Sequence, residues 1–241
     1  MRQFHSRKPQ LATLVLASMF AWTLSSPAQT VTWQAQPFPS DSSWLGSTGQ
    51  ATVVTANQVV LDGQRAASVQ LYSGPVTLNF DVSLSARTTT DGALWLNFIT
   101  PGQPADKGTT NAVFFQLGYN DLGQGSLGIF HRSLPNTSDT TIWTSPFSIS
   151  AATPYHVTMG VDANEALSLS VNGQPYSLPG TAVLSVTQFQ LQMQGWQPGD
   201  LWTVSNFTVV PEPATVTLVG VGLVVLARIV RRRGKRDALP S

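Results

Sequence analysis

Between Val31 and Val209 the chain alternates. In Thr77–Ala86 the apolar residues Leu78, Phe80, Val82 and Leu84 take every second position, with Thr77, Asn79, Asp81, Ser83 and Ser85 between them. A period of two over that length predicts a strand with one dry face and one wet face. Tyr155, Val157, Met159 and Val161 form a second such face, and Leu167, Leu169 and Val171 a third. The polar stretch Asp162-Ala163-Asn164-Glu165 between them predicts a hairpin over 155–171. Asn172-Gly173 predicts a tight reversal into 174–178. Phe189, Leu191 and Met193 alternate with Gln188, Gln190, Gln192 and Gln194. Further strands are expected at 51–55, 58–61, 66–71, 93–99, 112–118, 126–131 and 203–209. No sustained helical period and no repeat of fixed length interrupts them. Gly, Ser, Thr, Asn and Pro fill the gaps, as in the loops of an all-β protein. About a dozen short strands predict an antiparallel two-sheet jelly-roll sandwich spanning 29–210.

The pattern changes at both ends. Arg2, Arg7 and Lys8 precede an apolar run from Leu11 to Leu24, and Ser26-Pro27-Ala28 follows. A basic start, a short greasy core and small residues at the cut predict a secretory signal peptide over 1–28, removed after Ala28 by signal peptidase. At the other end, Pro211-Glu212-Pro213 is followed by an apolar run over 214–230 and then by Arg231, Arg232, Arg233, Lys235 and Arg236. The prolines favour an extended segment. The apolar run, at 1.5 Å per residue, reaches about 26 Å, enough for a membrane-spanning helix. The cations of 231–236 should hold that helix with its end in the cytoplasm. Arg228 lies near the end of the run, where its side chain can reach the headgroups.

Both ends distort the overall charge, which is +1 with thirteen basic residues. Between 29 and 210 only Arg65, Arg87, Lys107 and Arg132 are basic, against nine Asp and Glu165. Four against ten leaves the central domain at −6, which argues against nucleic acid as a partner. The absence of cysteine means that an exported domain must hold together by its core alone.

The tripartite tail resembles the PEP-CTERM sorting signal of Gram-negative bacteria. The matching residues are Pro211-Glu212-Pro213-Ala214, the run 215–227 with Gly220-Val221-Gly222, and Arg231–Arg233. The resemblance implies recognition of Pro211, Glu212 and Pro213 by an exosortase, a membrane peptidase, with Arg231, Arg232, Arg233, Lys235 and Arg236 as the membrane-retention tail. It also implies an exported protein, anchored in the inner membrane before processing and then at the cell surface or in the exopolysaccharide matrix. The central domain resembles concanavalin A-like and laminin-G-like jelly rolls in Tyr155–Met159, Leu167–Gly173 and Val204–Val209. Phe80–Arg87 followed by Ala93–Phe98 fits the same order. That likeness implies a sandwich and hints at carbohydrate or protein ligands.

Catalytic chemistry is sparse. Glycosidases of concanavalin-like form carry Glu-x-Asp-x-x-Glu on one strand, whereas this domain has the single glutamate Glu165, in a turn with Asp162. Two carboxylates must flank one bond in such enzymes, and turn chemistry accounts for this pair. His131 and His156 read as surface residues, and no nucleophile elbow is present. No cofactor is expected, and the histidines lack metal-ligand spacing. Asp121–Gly125 reads as a turn rather than a calcium loop. Aromatic and amide side chains are the better binding candidates. Trp95 interrupts the Leu94, Leu96, Phe98 face and should point the other way. Trp196 and Trp202 flank the loop 197–200 beside Gln192 and Gln194, and these four form the candidate carbohydrate-binding set, since sugar rings stack on indoles and amides bind hydroxyls. The expected function is a non-enzymatic surface or matrix protein that binds neutral or mildly cationic polysaccharide. The alternative is a secreted glycan-processing enzyme on a concanavalin-like fold.

Overall fold

The computed structural model describes residues 27–36, 52–55, 57–87, 91–101, 112–120, 122, 124–132, 139–184, 186–196 and 199–212. Fifteen strands run through them: β1 (Gln29–Thr30), β2 (Trp33–Gln36), β3 (Thr52–Thr55), β4 (Gln58–Asp62), β5 (Arg65–Tyr72), β6 (Val76–Ala86), β7 (Gly92–Ile99), β8 (Ala112–Tyr119), β9 (Gly125–Arg132), β10 (Asp139–Pro146), β11 (Tyr155–Val161), β12 (Leu167–Val171), β13 (Gln174–Tyr176), β14 (Phe189–Gly195) and β15 (Leu201–Pro211). They form two antiparallel sheets. One has the order β13-β12-β11-β6-β15-β4-β3, with β1 added against β15, and the other the order β10-β9-β8-β7-β14-β5-β2. The expected all-β jelly-roll sandwich is what the chain adopts, and one compact unit covers Pro27–Pro211. The signal segment up to residue 26, the apolar run 214–230 and the basic residues 231–236 lie outside the described residues. Among the described residues no helix is long and apolar enough to cross a membrane.

The alternation read from the sequence becomes the core. In β6, Val76, Leu78, Phe80, Val82 and Leu84 are buried while the residues between them are half-buried. Its neighbours β11 and β15 present Val157, Met159, Trp202, Val204, Phe207 and Val209 to the same layer. Phe80 stacks on Phe207 at 4.9 Å and meets Phe115 of the facing sheet edge-on at 6.4 Å. Trp33, from the edge strand β2, closes the same group with its ring 5.1 Å from Phe207. Strands β2 and β10 were not among those expected, although Val31-Thr32-Trp33-Gln34-Ala35-Gln36 alternates and β2 buries Trp33 beside exposed Gln34. Both are sheet edges, where β10 carries exposed threonines.

Turn chemistry follows the sequence closely. The Asp162 carboxylate accepts from the backbone amides of Asn164 and Ala166, at 2.7 and 2.9 Å, which explains this acidic turn without catalysis. Asn172 takes a positive φ of 51° at the reversal into β13, and its Oδ1 accepts from the His156 backbone amide. His156 is exposed, as its place in the alternation requires, and its Nδ1 lies 2.8 Å from Asp81 Oδ1. Asn206, also at positive φ in the bulge of β15, donates to the other oxygen of Asp81 at 2.7 Å.

Two predictions come from this packing. Phe80→Ala should cost about 3–5 kcal/mol and lower Tm by roughly 10 °C, since the cavity would open between the sheets; thermal melts of the purified protein check it. Asp81 gives the second. Partial burial raises its pKa, but the hydrogen bonds from Asn206 and His156 and the His156 charge outweigh that, and the net shift is downward. A carboxylate with a lowered folded pKa adds stability above its unfolded pKa, and that stability disappears as pH falls through the folded value. The urea midpoint of wild type should therefore exceed that of Asp81→Asn near neutrality, and the difference should close on acidification below about pH 4.

Candidate functional site

The side of β7 turned away from the core is buried as well, and all eight of its residues are inaccessible. Strand register builds this outer face. Gln192, Asn97, Phe114 and Phe130 lie in one row across β14, β7, β8 and β9, and Gln194, Trp95, Gln116 and Gly128 lie in the next. Trp95, pointing away from the core as the sequence predicts, packs with Phe114, Phe130 and Trp196. Its ring centroid is 5.3 Å from that of Phe114 and 4.6 Å from that of Trp196. The Arg132 guanidinium lies over both Trp95 and Phe114, at 5.2 and 4.9 Å, and is gripped from the side by Asp139 through bonds of 2.8 and 3.2 Å. A planar cation laid against two adjoining aromatic rings and paired with a carboxylate keeps its charge compensated where it is buried.

The Trp95 indole N–H donates to Gln116 Oε1 at 2.9 Å, and Gln116 in turn lines a cavity of about 880 Å³. The cavity opens where β8, β9 and β10 end. Asp91, Asn120, Gln124, Ser126 and Thr144 supply its polar wall, and Phe147 and Ile149 the apolar one. The β8–β9 turn is held by Asn120, whose Oδ1 accepts from the amides of Leu122 and Gln124 at 3.1 and 2.9 Å. The expected plain turn over 121–125 has this geometry at its described positions. Gly125 is required there, because a Cβ would run into the Phe147 carbonyl oxygen. Tyr119 also lines the cavity, with its hydroxyl on the buried Asp200 carboxylate and Arg87 stacked 4.0 Å above its ring.

The four residues named from the sequence separate here. Trp196 stays on the outer face, half-buried against Trp95. Trp202 does not: it is fully buried between the sheets, out of reach of any polymer. Strand β15 begins at Leu201, so Trp202 belongs to its core-facing series rather than to the loop before it. Gln192 and Gln194 point outward as the alternation requires, yet both are buried, so they are not an open amide surface. Gln192 faces Asn97, whose amide donates to its Oε1 at 3.4 Å, while Asn97 Oδ1 is buried without a hydrogen-bond partner. The cavity residues Asp91, Gln116 and Thr144 were missed. They come from the residue before β7, from within β8 and from β10, far apart in sequence, and only sheet order brings them together. His131 is half-buried in β9. Among the described residues no group of His, Cys, Asp and Glu could hold a metal ion.

At the C-terminal end, Pro211 is the last residue of β15, paired with Val76, and Glu212 is exposed. Pro213, Arg231, Arg232, Arg233, Lys235 and Arg236 lie outside the described residues. Residues 209–233 match the family model of the PEP-CTERM protein-sorting motif. The chain carries a PEP-CTERM sorting signal. The motif marks an exported protein with an exosortase as the processing partner it implies. Among curated proteins none matches this sequence. The fold is similar to that of the carbohydrate binding module CBM66 from Bacillus subtilis, at TM-score 0.51 and 15% identity over 76% of this chain and 99% of that one. It is also similar to the metal-free Emp46p carbohydrate recognition domain, at TM-score 0.58 and 10% identity over 77% and 89%. A third likeness, at TM-score 0.53 and 8% identity over 81% and 98%, is to a protein described with the endo-acting O-glycanases by which human gut bacteria initiate mucin breakdown. At these identities the likeness shows the jelly-roll fold.

Asp139→Ala would leave the Arg132 charge buried without its carboxylate. It should destabilise the domain by about 3 kcal/mol, measurable as a shift in the urea midpoint.

Proposed function

We propose that this is a non-catalytic surface or matrix protein whose sandwich binds polysaccharide on the outer face of the β10-to-β2 sheet. The observation that carries the reading is the cavity at the ends of β8, β9 and β10. It sets amide and hydroxyl side chains around an apolar wall, the combination that orients and holds a sugar ring. Half-buried Trp196, packed on Trp95, adds aromatic surface to that face. The solved domains of similar fold that carry carbohydrate-binding names support the same reading. The alternative, a glycan-processing enzyme, takes support from the gut-bacterial likeness. Against it, Asp91 is the one carboxylate among the described lining residues, whereas glycosidic hydrolysis ordinarily uses two.

On this reading the tail is a transient anchor. The sorting peptidase recognises Pro211, Glu212 and Pro213, and 214–236 holds the chain at the inner membrane until release to the surface or matrix. Replacing Pro211, Glu212 and Pro213 with Ala should leave the protein in the membrane fraction with its arginine tail intact by mass spectrometry. Release of the variant at the wild-type rate would refute the recognition role.

Gln116→Ala and Thr144→Trp, the first removing a polar partner and the second filling the cavity mouth, should each weaken retention on polysaccharide gels roughly tenfold while circular dichroism stays unchanged. Unchanged retention would place the ligand elsewhere. New reducing ends after incubation of the purified mature protein with host polysaccharide would make it an enzyme.

A further inference from the structure

We infer that the cavity at β8, β9 and β10 selects a sugar bearing an acyl carbonyl, an N-acetylhexosamine unit, through the side-chain amide nitrogens of Gln116 and Gln124. The inference rests on the carbohydrate-binding reading above and narrows it to one chemical class.

Three amides stand in the wall, those of Gln116, Asn120 and Gln124. Each is oriented by the group that bonds to its oxygen. An indole N–H can only donate. The 2.9 Å bond from Trp95 therefore sets the Gln116 oxygen on the Trp95 side and leaves its NH2 on the other. Backbone N–H groups likewise only donate. Asn120 Oδ1 accepts two of them, from Leu122 and Gln124, at 3.1 and 2.9 Å, which uses both of its lone pairs. The Asn120 NH2 then donates to Gln124 Oε1 at 3.1 Å. The Gln124 oxygen is thereby directed at Asn120, and its NH2 is left for a ligand. Among the described residues neither Gln116 Nε2 nor Gln124 Nε2 has a hydrogen-bond partner. Gly118 keeps the first of them uncovered, since a Cβ there would lie 3.0 Å from Gln116 Nε2.

Two nitrogens that can only donate ask for an acceptor. A carbonyl oxygen has two lone pairs and no proton, so it suits them without conflict. A sugar hydroxyl also accepts, but its own proton must then find an acceptor, and the amide oxygens are turned toward Trp95 and Asn120. The rest of an acetamido group fits the rest of the wall. Its methyl meets the apolar side chains of Phe147 and Ile149, and its N–H donates to the Ser126 or Thr144 hydroxyl. The Asp91 carboxylate is already engaged and takes no part. Gln124 is exposed, so water competes for its bond and the gain is modest.

The test uses the purified mature protein and four β-1,4 oligosaccharides: cello-oligosaccharide, N-acetylated chito-oligosaccharide, its deacetylated form, and oligomannuronate. Calorimetry should show the acetylated ligand bound roughly fivefold tighter than the other three. Its margin over cello-oligosaccharide, a comparison of two neutral ligands, should not change with salt. Gln116→Glu and Gln124→Glu each keep the oxygen to which Trp95 or Asn120 donates and replace the NH2 by a second oxygen. Each should remove most of that margin while cello-oligosaccharide still binds. Asn164→Asp, the same charge change in the turn between β11 and β12 of the other sheet, should leave it intact. If Gln116→Glu lowers Tm, Gln124→Glu, at an exposed position, decides. Equal affinity for the acetylated and cello ligands would overturn the acyl selectivity, as would a margin that survives Gln124→Glu or one that Asn164→Asp also removes. Tightest binding of oligomannuronate would assign the donors to a carboxylate and overturn it too. Each of these results leaves carbohydrate binding standing. Binding of none of the four would sink the carbohydrate reading itself.

Discussion

Phe80 and Phe207 are stacked at the middle of one sheet, and everything else is arranged around their contact with the other sheet. The chain has no cysteine, so no covalent tie holds the two layers together. Close packing across the gap must do so alone. Phe115 and Trp33 reach this pair from the opposite layer, and the long central strands β6 and β15 fix its position. Because β15 also pairs with β4 and β1, the same strand sets the register of most of its sheet. Register in turn determines which residues face outward, and hence which can meet a ligand.

The two faces of the sandwich differ in kind. Outside β6, β11 and β15 the surface is a polar lattice of threonine, serine and asparagine in which Asp81, His156 and Asn206 form a bonded line. Outside β7, β8 and β14 the surface is aromatic and amide-rich, and its residues are buried. Here Arg132 lies over Trp95 and Phe114, and Trp95 is bonded to Gln116. Packed aromatic and amide groups on strands make this layer a stiff support for the turns and strand ends beside it. The cavity adjoins this stiff region, and its own walls come from strand ends and a turn, where sequence can vary without disturbing the core.

Much of the fold was legible because period-two alternation is a direct print of burial. Strands β6, β11, β12 and β14 stand where the alternation put them. The edge strand β10 was illegible for a physical reason: an edge need not bury one face cleanly, so its sequence lacks the pattern, whereas β2 was legible in the alternation of 31–36 and was missed. Trp202 was misplaced by one residue of strand boundary. The bulge between Ser205 and Thr208 breaks the period, so Trp202 and Val204 read as out of phase with Phe207 and Val209 although all four are in the core. Gln192 and Gln194 show a different limit. Alternation gave their side of the sheet correctly, but alternation cannot say whether that side is open. The cavity was hidden for a third reason, since its residues share no local pattern and meet only through sheet order.

The pairing of Gln29 with Val209 puts the first residue after the expected signal cut beside the start of the sorting motif. The motif's opening residues, Val209 to Pro211, are at the same time the last rungs of β15. A peptidase that trimmed upstream of Pro211 would pull out the strand on which the sheet is threaded. In a folded chain those bonds are shielded, and Glu212 is the first residue past the ladder. The ladder therefore marks the earliest backbone bond whose loss would leave the sheet intact.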